Sequence, residues 1–317
     1  MKRISFVFFF LLTILYGITN QKPTAIYKAS GNVQTMAIDG NKLYAGTING
    51  TIEIFDIDSK KKIETITLPK IKDFVGDTTK AKVFSVDVID GSILIVSQGE
   101  AGFRDVYLYK SKQLKKLISP KNKMLIQKVS FININSFVFF LLSNQIGVWD
   151  IPMQKQKYLY QISGSSFSHF MISENKKTLA STDESGLVRI IDTASGRITK
   201  NLPGVNLDKI YQLDYKKGVI LTAGQDRKAV IYKNGQHSSL DFGFLLYSCA
   251  LSPSADFGAI AYNENNDVLI INTTTKEKLY NLIGQESTMT GIHFKSETEL
   301  FVSSESPKIN FYKVRKK

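Results

Sequence analysis

Past its first twenty residues the chain is built from short runs in which apolar and polar positions alternate, separated by pairs of Asn, Asp, Gly and Ser. A period of two puts successive side chains on opposite faces of an extended segment, so the pattern predicts half-buried β-strands. No stretch beyond the N-terminal leader carries the spacing of an amphipathic helix. Asn49-Gly50, Asp90-Gly91, Asn234-Gly235 and Asn265-Asn266 mark turns, because these residues tolerate the positive φ of tight hairpins. The reading is all-β.

One strand recurs. Ile52–Asp56, Val106–Lys110, Ile146–Asp150, Val188–Asp192, Lys228–Tyr232, Val268–Asn272 and Lys308–Tyr312 share its pattern, and their last residues are 54, 40, 42, 40, 40 and 40 positions apart. A period near forty with four short strands per unit is that of a β-propeller blade. The fourth unit shows the whole plan: an inner strand around Ser166 to Ile172, a second over Thr178 to Thr182, a third ending at Asp192 and an outer one over Arg197 to Leu202. Seven third strands predict seven blades. The seventh runs out of chain before an outer strand, while Thr24 to Ala29 has strand character and no blade of its own. This N-terminal segment is therefore expected to complete the last blade and close the ring, which removes two exposed sheet edges.

The N-terminus has a different character. Lys2 and Arg3 precede an apolar run from Ile4 to Leu15, followed by Gly17, Thr19 and Asn20. That is the layout of a secretory signal peptide, and the run is short of the roughly 20 residues that a spanning helix needs. The expected division is a leader over 1–19, cleaved, and one propeller domain over 20–317, without a stable membrane anchor. The formal charge of +13 would suit a nucleic-acid binder, but an exported protein seldom meets nucleic acid, and none is expected as a partner. Without Lys2 and Arg3 the basic excess is still 11. The single cysteine, Cys249, allows no internal disulfide and no thiolate metal site, suits an oxidising compartment, and lies in an apolar run that reads as buried.

Trp149-Asp150, with Phe55-Asp56 and Ile191-Asp192 in the same slot, resembles the strand ending of WD40 repeats over roughly residues 24 to 317. No blade opens with the Gly-His pair of that family, which puts its usual side-chain hydrogen-bond network in question. The leader, Asn41 to Thr47, Thr65 to Ile71, Gly76-Asp77, Lys82 to Asp87 and Gly99-Glu100 together resemble the NapL-type WD40 accessory proteins of bacterial periplasmic nitrate reductase systems. That resemblance implies a periplasmic helper of nitrate respiration, with protein partners among the reductase components and no cofactor of its own. A monomer is expected.

The long interval between the first two blades holds the candidate site. Pro69 to Ala81 is a long blade-to-blade connection, and Ser97 to Asp105 a long loop between second and third strands. Both connections emerge on the same face of a propeller. The two insertions should therefore share one rim, and over-long loops on a rigid scaffold are where binding residues gather. Lys72, Phe74, Asp77, Glu100, Phe103 and Arg104 are the candidate partner-binding residues: two aromatics among mixed charges. Lys110, Lys112, Lys115, Lys116, Lys121, Lys123 and Lys128 read as a basic outer edge of blade 2.

No catalytic constellation stands out. His169, His237 and His293 fall in different blades without ligand spacing, and Asp87 and Asp214, near inner strands, read as hydrogen-bonded structural groups. The expected function is a non-catalytic interaction module, serving assembly of or electron supply to the nitrate reductase. A metal-dependent propeller hydrolase of lactonase type and a scaffold for envelope protein assembly are the alternatives.

Overall fold

Each forty-residue unit folds as an antiparallel four-stranded sheet, and the seven sheets stand around a common axis with their first strands innermost. The computed structural model describes residues 18–314; the expected leader lies outside the described residues up to position 17. Blade 4 shows the unit as read from the sequence, with strands Phe167–Ile172, Thr178–Asp183, Val188–Asp192 and Ile198–Asn201. Second strands such as Ser136–Leu141 and Val219–Gly224 are buried at every position, because neighbouring blades cover both of their faces. Outer strands such as Ile198–Asn201 are exposed throughout.

The ring closes as the terminal arithmetic predicts. Ala25–Lys28 pairs antiparallel with Lys308–Lys313 as the fourth strand of blade 7, in the register Ala25 to Phe311 and Lys28 to Lys308. Tyr27 anchors it: the ring is 1% exposed, its hydroxyl donates to the Ile57 carbonyl of blade 1 at 2.8 Å, and Phe55, Phe301 and Phe311 meet it edge-on. One side chain thus joins the first and last blades. A second pairing is one that the strand pattern does not predict: Thr19–Gln21 runs parallel to Lys278–Leu282 and adds a fifth strand to blade 6. This strand straddles the boundary expected between leader and domain.

Acidic side chains in four of the blades collect donors that differ from blade to blade. Asp183 of blade 4 is fully buried and accepts from Arg189 Nη1 at 2.6 Å, Asn144 Nδ2 of blade 3 at 2.9 Å and Ser163 Oγ at 2.6 Å. Asp105 receives Lys116 Nζ at 2.8 Å and the Tyr107 hydroxyl at 3.0 Å in blade 2. In blade 1, Glu53 receives Lys62 Nζ at 3.0 Å and the Ser30 amide at 2.8 Å. Asp226 of blade 5 holds Asn206 Nδ2 at 3.0 Å, and Asn206 in turn accepts from the Thr222 hydroxyl at 2.8 Å. A buried charge is tolerated only when paired and hydrogen-bonded: Asp183, Asp105 and Glu53 are buried and each is met by a cation of its own blade, whereas Asp226 is half-buried.

Two stability predictions arise from closure and from the blade 4 network. Tyr27→Ala should cost about 3–5 kcal/mol in denaturant unfolding, the range for removing a buried aromatic, and deletion of residues 19–30 should cost more. An unchanged unfolding midpoint would show that the ring is held elsewhere. Asp183→Ala leaves the Arg189 guanidinium buried without its partner and should cost about 3–5 kcal/mol, whereas an exposed control such as Asp77→Ala should change the midpoint little.

Candidate functional site

The two insertions meet, on one rim. Ile71–Lys72 and Thr78–Thr79 pair antiparallel to form a small hairpin standing off the ring. Its tip is held from within: the Asp73 carboxylate accepts the amides of Val75 at 3.0 Å and Asp77 at 2.8 Å, and Gly76 takes a φ of +90° that other residues adopt only with strain. With the tip's polar groups turned inward on Asp73, Phe74 and Val75 are displayed outward, each 82% exposed. The second insertion folds into a single 3-10 turn over Glu100–Gly102. Phe74 leans on it: a Cβ built on Gly102 would lie 2.8 Å from Phe74 Cζ.

The six candidate residues divide into two groups. Lys72, Phe74, Asp77 and Glu100 are exposed. Phe103 and Arg104 are half-buried, and Arg104 supports the loop from below, its guanidinium lying 4.0 Å over the Phe84 ring and donating to the Gly102 carbonyl at 2.9 Å. Burial lowers the Arg104 pKa from its usual value. Arg104 clamps the loop on which Phe74 rests. Val75 joins the site without having been singled out by the sequence pattern, although its place beside Phe74 in the same insertion is a usable signal.

The basic stretch assigned to blade 2 belongs to three places. Lys110, Lys112 and Lys115 are exposed on its outer edge, while Lys116 is paired with Asp105. Lys121 lies within the 3-10 turn Pro120–Asn122 and Lys123 caps it; the turn abuts the rim through Pro120 against Gly99, and just beyond it the Arg104 amide donates to the Met124 carbonyl at 3.3 Å. Lys128 is the correction: it lies on Ile126–Asn133, the inner strand of blade 3, and lines the central channel instead of a solvated edge.

That channel has a volume of about 530 Å3 and is lined by the seven inner strands. Six of them carry a β-bulge after their first residue, at Val33, Val83, Ile126, Phe167, Ile210 and Met289. A bulge re-aims the residue that follows it. The residues just past the bulges include Thr35, Ser85, Lys128, His169 and Gln212, all of which line the channel. Lys128 Nζ is 2.5 Å from His169 Nε2 and 3.6 Å from Met171 Sδ. His169 Nδ1 accepts the Leu213 amide at 3.4 Å. Burial, with the neighbouring Lys128 and His293, holds the His169 pKa well below its ordinary value. Burial likewise brings His293 down to about 4 and Lys128 down to about 8, the latter against the opposing pull of Asp87 and Asp214.

The two aspartates are structural, as their positions in the sequence suggest. Asp87 accepts the Ser130 hydroxyl at 2.9 Å and the Phe131 amide at 2.6 Å, and Asp214 accepts the Leu251 amide at 2.8 Å. Each ties its own inner strand to that of the next blade. Cys249 is buried, and burial raises its thiol pKa well above the usual value. Among the described residues no three His, Cys, Asp or Glu side chains are placed to hold a metal ion.

The depressed His293 pKa has a consequence for stability. The unfolded chain takes up this proton near pH 6.5 and the folded protein only near 4, so falling pH favours the unfolded state across that window, with the full penalty present below 4. Removing the imidazole with His293→Gln should therefore flatten the acid limb, by about 3 kcal/mol between pH 6.5 and 4 relative to the parent. Burial raises the Asp87 pKa, which acts in the opposite sense but is common to both proteins. Parallel acid limbs in urea titrations would count against a buried neutral His293.

Among solved structures, the chain is similar to the β-propeller domain of Cps50 (Swd1) from Myceliophteria thermophila, with a TM-score of 0.73 and 15% identity over 92% of this chain and 99% of that one. The sequence matches no protein-family model and no curated protein. At that identity the likeness carries the fold alone. The chain is an all-β, seven-bladed propeller, with Ala25–Lys28 completing the last blade.

Proposed function

We propose that this propeller is a non-catalytic protein-interaction module whose contact surface is the rim built by the two insertions. The observation that carries this reading is the display of Phe74 and Val75, each 82% exposed, on a hairpin with its own internal hydrogen bonds. An ordered pair of apolar side chains held in water is a standing cost that contact with a partner removes. The exposed Lys70, Lys72, Lys80, Lys121 and Lys123 outnumber Asp77 and Glu100 nearby, which favours a partner with an apolar centre and an acidic border.

In the finer form of the proposal, the protein is exported by its N-terminal leader, works in the periplasm as a monomer and assists a periplasmic nitrate reductase, in assembly or electron supply. The leader pattern and the resemblance of Lys82 to Asp87 and the neighbouring strings support that part. No observation favours the hydrolase or the envelope scaffold.

The test is co-purification with the reductase subunits from a nitrate-respiring cell, using the full chain. Phe74→Ser with Val75→Ser should reduce capture by at least about tenfold while the melting curve stays the same, since hot-spot side chains are worth ~2 kcal/mol or more each. Capture by the unaltered protein should weaken as salt rises from about 50 to about 300 mM. Undiminished capture by the double variant would move the contact surface off this rim, and capture of other proteins but no reductase subunit would remove the nitrate assignment.

A further inference from the structure

The central channel holds a lysine, Lys128, whose contacts are an imidazole, a thioether and an aromatic ring. Lys128 Nζ contacts an imidazole nitrogen, His169 Nε2 at 2.5 Å, and a thioether, Met171 Sδ at 3.6 Å, and lies 5.6 Å from the centre of the Phe170 ring. Among the described residues it makes no ion pair with a carboxylate. The nearby acids are engaged elsewhere: Asp87 and Asp214 receive the hydrogen bonds that tie their strands to the next blades.

The hydrogen bonds around His169 indicate the state of this amine. The Leu213 amide donates to Nδ1, and a neutral imidazole has one acceptor and one donor, so the ring proton sits on Nε2 and points at Lys128 Nζ. A nitrogen that accepts a hydrogen bond carries a lone pair, which an ammonium does not. The free-amine form of Lys128 fits the geometry. Its depressed pKa, caused chiefly by burial, agrees. The charged and titratable groups that line the channel with it are Asp87 of blade 2, His169, Glu174 and Lys176 of blade 4, Tyr211, Asp214 and Lys216 of blade 5, Cys249 of blade 6 and His293 of blade 7.

We propose that Lys128 is the reactive amine of a binding site for small aldehydes and ketones in the central channel, with His169 as its positioning residue and hydrogen-bond donor. The step balances without an oxidant or reductant. The Nζ lone pair forms a bond to the carbonyl carbon as the carbonyl π pair moves to oxygen, which accepts a hydrogen bond from His169 Nε2–H without taking its proton. The nitrogen, now cationic, passes one of its own protons to that oxygen and leaves the imidazole unchanged. The resulting carbinolamine loses its hydroxyl group and a proton as water, leaving an imine. Asp87 and Asp214 are placed to stabilise the protonated imine, as their charges already favour the cationic form of Lys128. The volume of about 530 Å3 admits small carbonyl compounds and excludes proteins. This site is independent of the rim, and either can fail without the other.

The experiment is reductive trapping on the full chain. Propanal and cyanoborohydride are added at about pH 8, and modified lysines are quantified by peptide mass spectrometry. A surface lysine of pKa ~10.4 is then under about 1% free amine, while one near 8 is about half, so Lys128 should be modified at least about tenfold faster than the exposed Lys112. Its rate should rise with pH to a midpoint near 8, and an aldehyde-bearing dextran should leave it untouched. His169→Gln should slow trapping of propanal at Lys128 by about tenfold with the melting curve retained. Equal modification of Lys128 and Lys112, or a shared midpoint at the ordinary lysine value of about 10, would overturn the proposal. Retained speed in His169→Gln would overturn the role given to His169. Because mapping reads the unaltered protein, the outcome does not depend on whether a Lys128→Met control folds.

Discussion

Everything in this molecule depends on one short antiparallel pairing, that of Ala25–Lys28 with Lys308–Lys313. A propeller blade covers its faces only by leaning on its neighbours, so an open ring would expose the faces of its first and last sheets together with two unpaired edges. Joining segments from opposite ends of the chain costs loop-closure entropy that no local contact offsets. Tyr27 shows how the join is secured. Its ring sits among aromatics of blades 1 and 7, and its hydroxyl is satisfied by a blade 1 carbonyl, so burial and hydrogen bonding act at the same seam. Thr19–Gln21 then carries the chain onto blade 6, so the N-terminal segment spans the junctions of three consecutive blades.

Closure also explains why the blades need not share a hydrogen-bond motif. The requirement is only that each buried acid find donors. Asp183 finds an arginine, Asp105 and Glu53 find lysines, and the half-buried Asp226 finds an asparagine amide. Relaxation of a repeated motif into locally satisfied variants is the expected course when the constraint is electrostatic satisfaction and not a particular side chain.

Much of this is legible in the chain because a propeller repeats its pattern with its structure. Seven third strands at a near-constant interval predict seven blades, and the missing outer strand of the last one predicts the closure. The single long interval locates the rim, since excess chain in a closed ring can only leave it as loops. What the sequence hides has physical causes. Thr19–Gln21 is three polar residues joined by main-chain bonds, so no hydrophobic period marks it. Lys128 looks like one more lysine in a basic run, because its place depends on where blade 2 ends. The left-handed Lys123 closing the 3-10 turn marks that end, and lysine is not a residue that announces such a turn. The bulges are invisible because they shift register without changing composition. Phe103 and Arg104 group with Phe74 because their insertions emerge on one face, while the fold half-buries both and sets Arg104 beneath the loop on which Phe74 rests.

The channel shows what a rigid ring permits that a smaller fold would not. A lysine in a continuous core would either draw a carboxylate to it or be excluded, because an unpaired ammonium there is too costly. Here the second strands and blade interfaces supply the stability, and the hub is left as a polar space that the inner strands line without filling. The nearby carboxylates are committed to inter-strand hydrogen bonds, so they act on Lys128 only through their field. Desolvation therefore prevails over attraction, and the amine settles against an imidazole from the adjacent blade. Lys128 and His169 are 41 positions apart, one blade repeat, and both follow a bulge in their strands. The same geometric repetition that builds the ring brings them into contact, so their pairing follows from the fold without any local sequence signal.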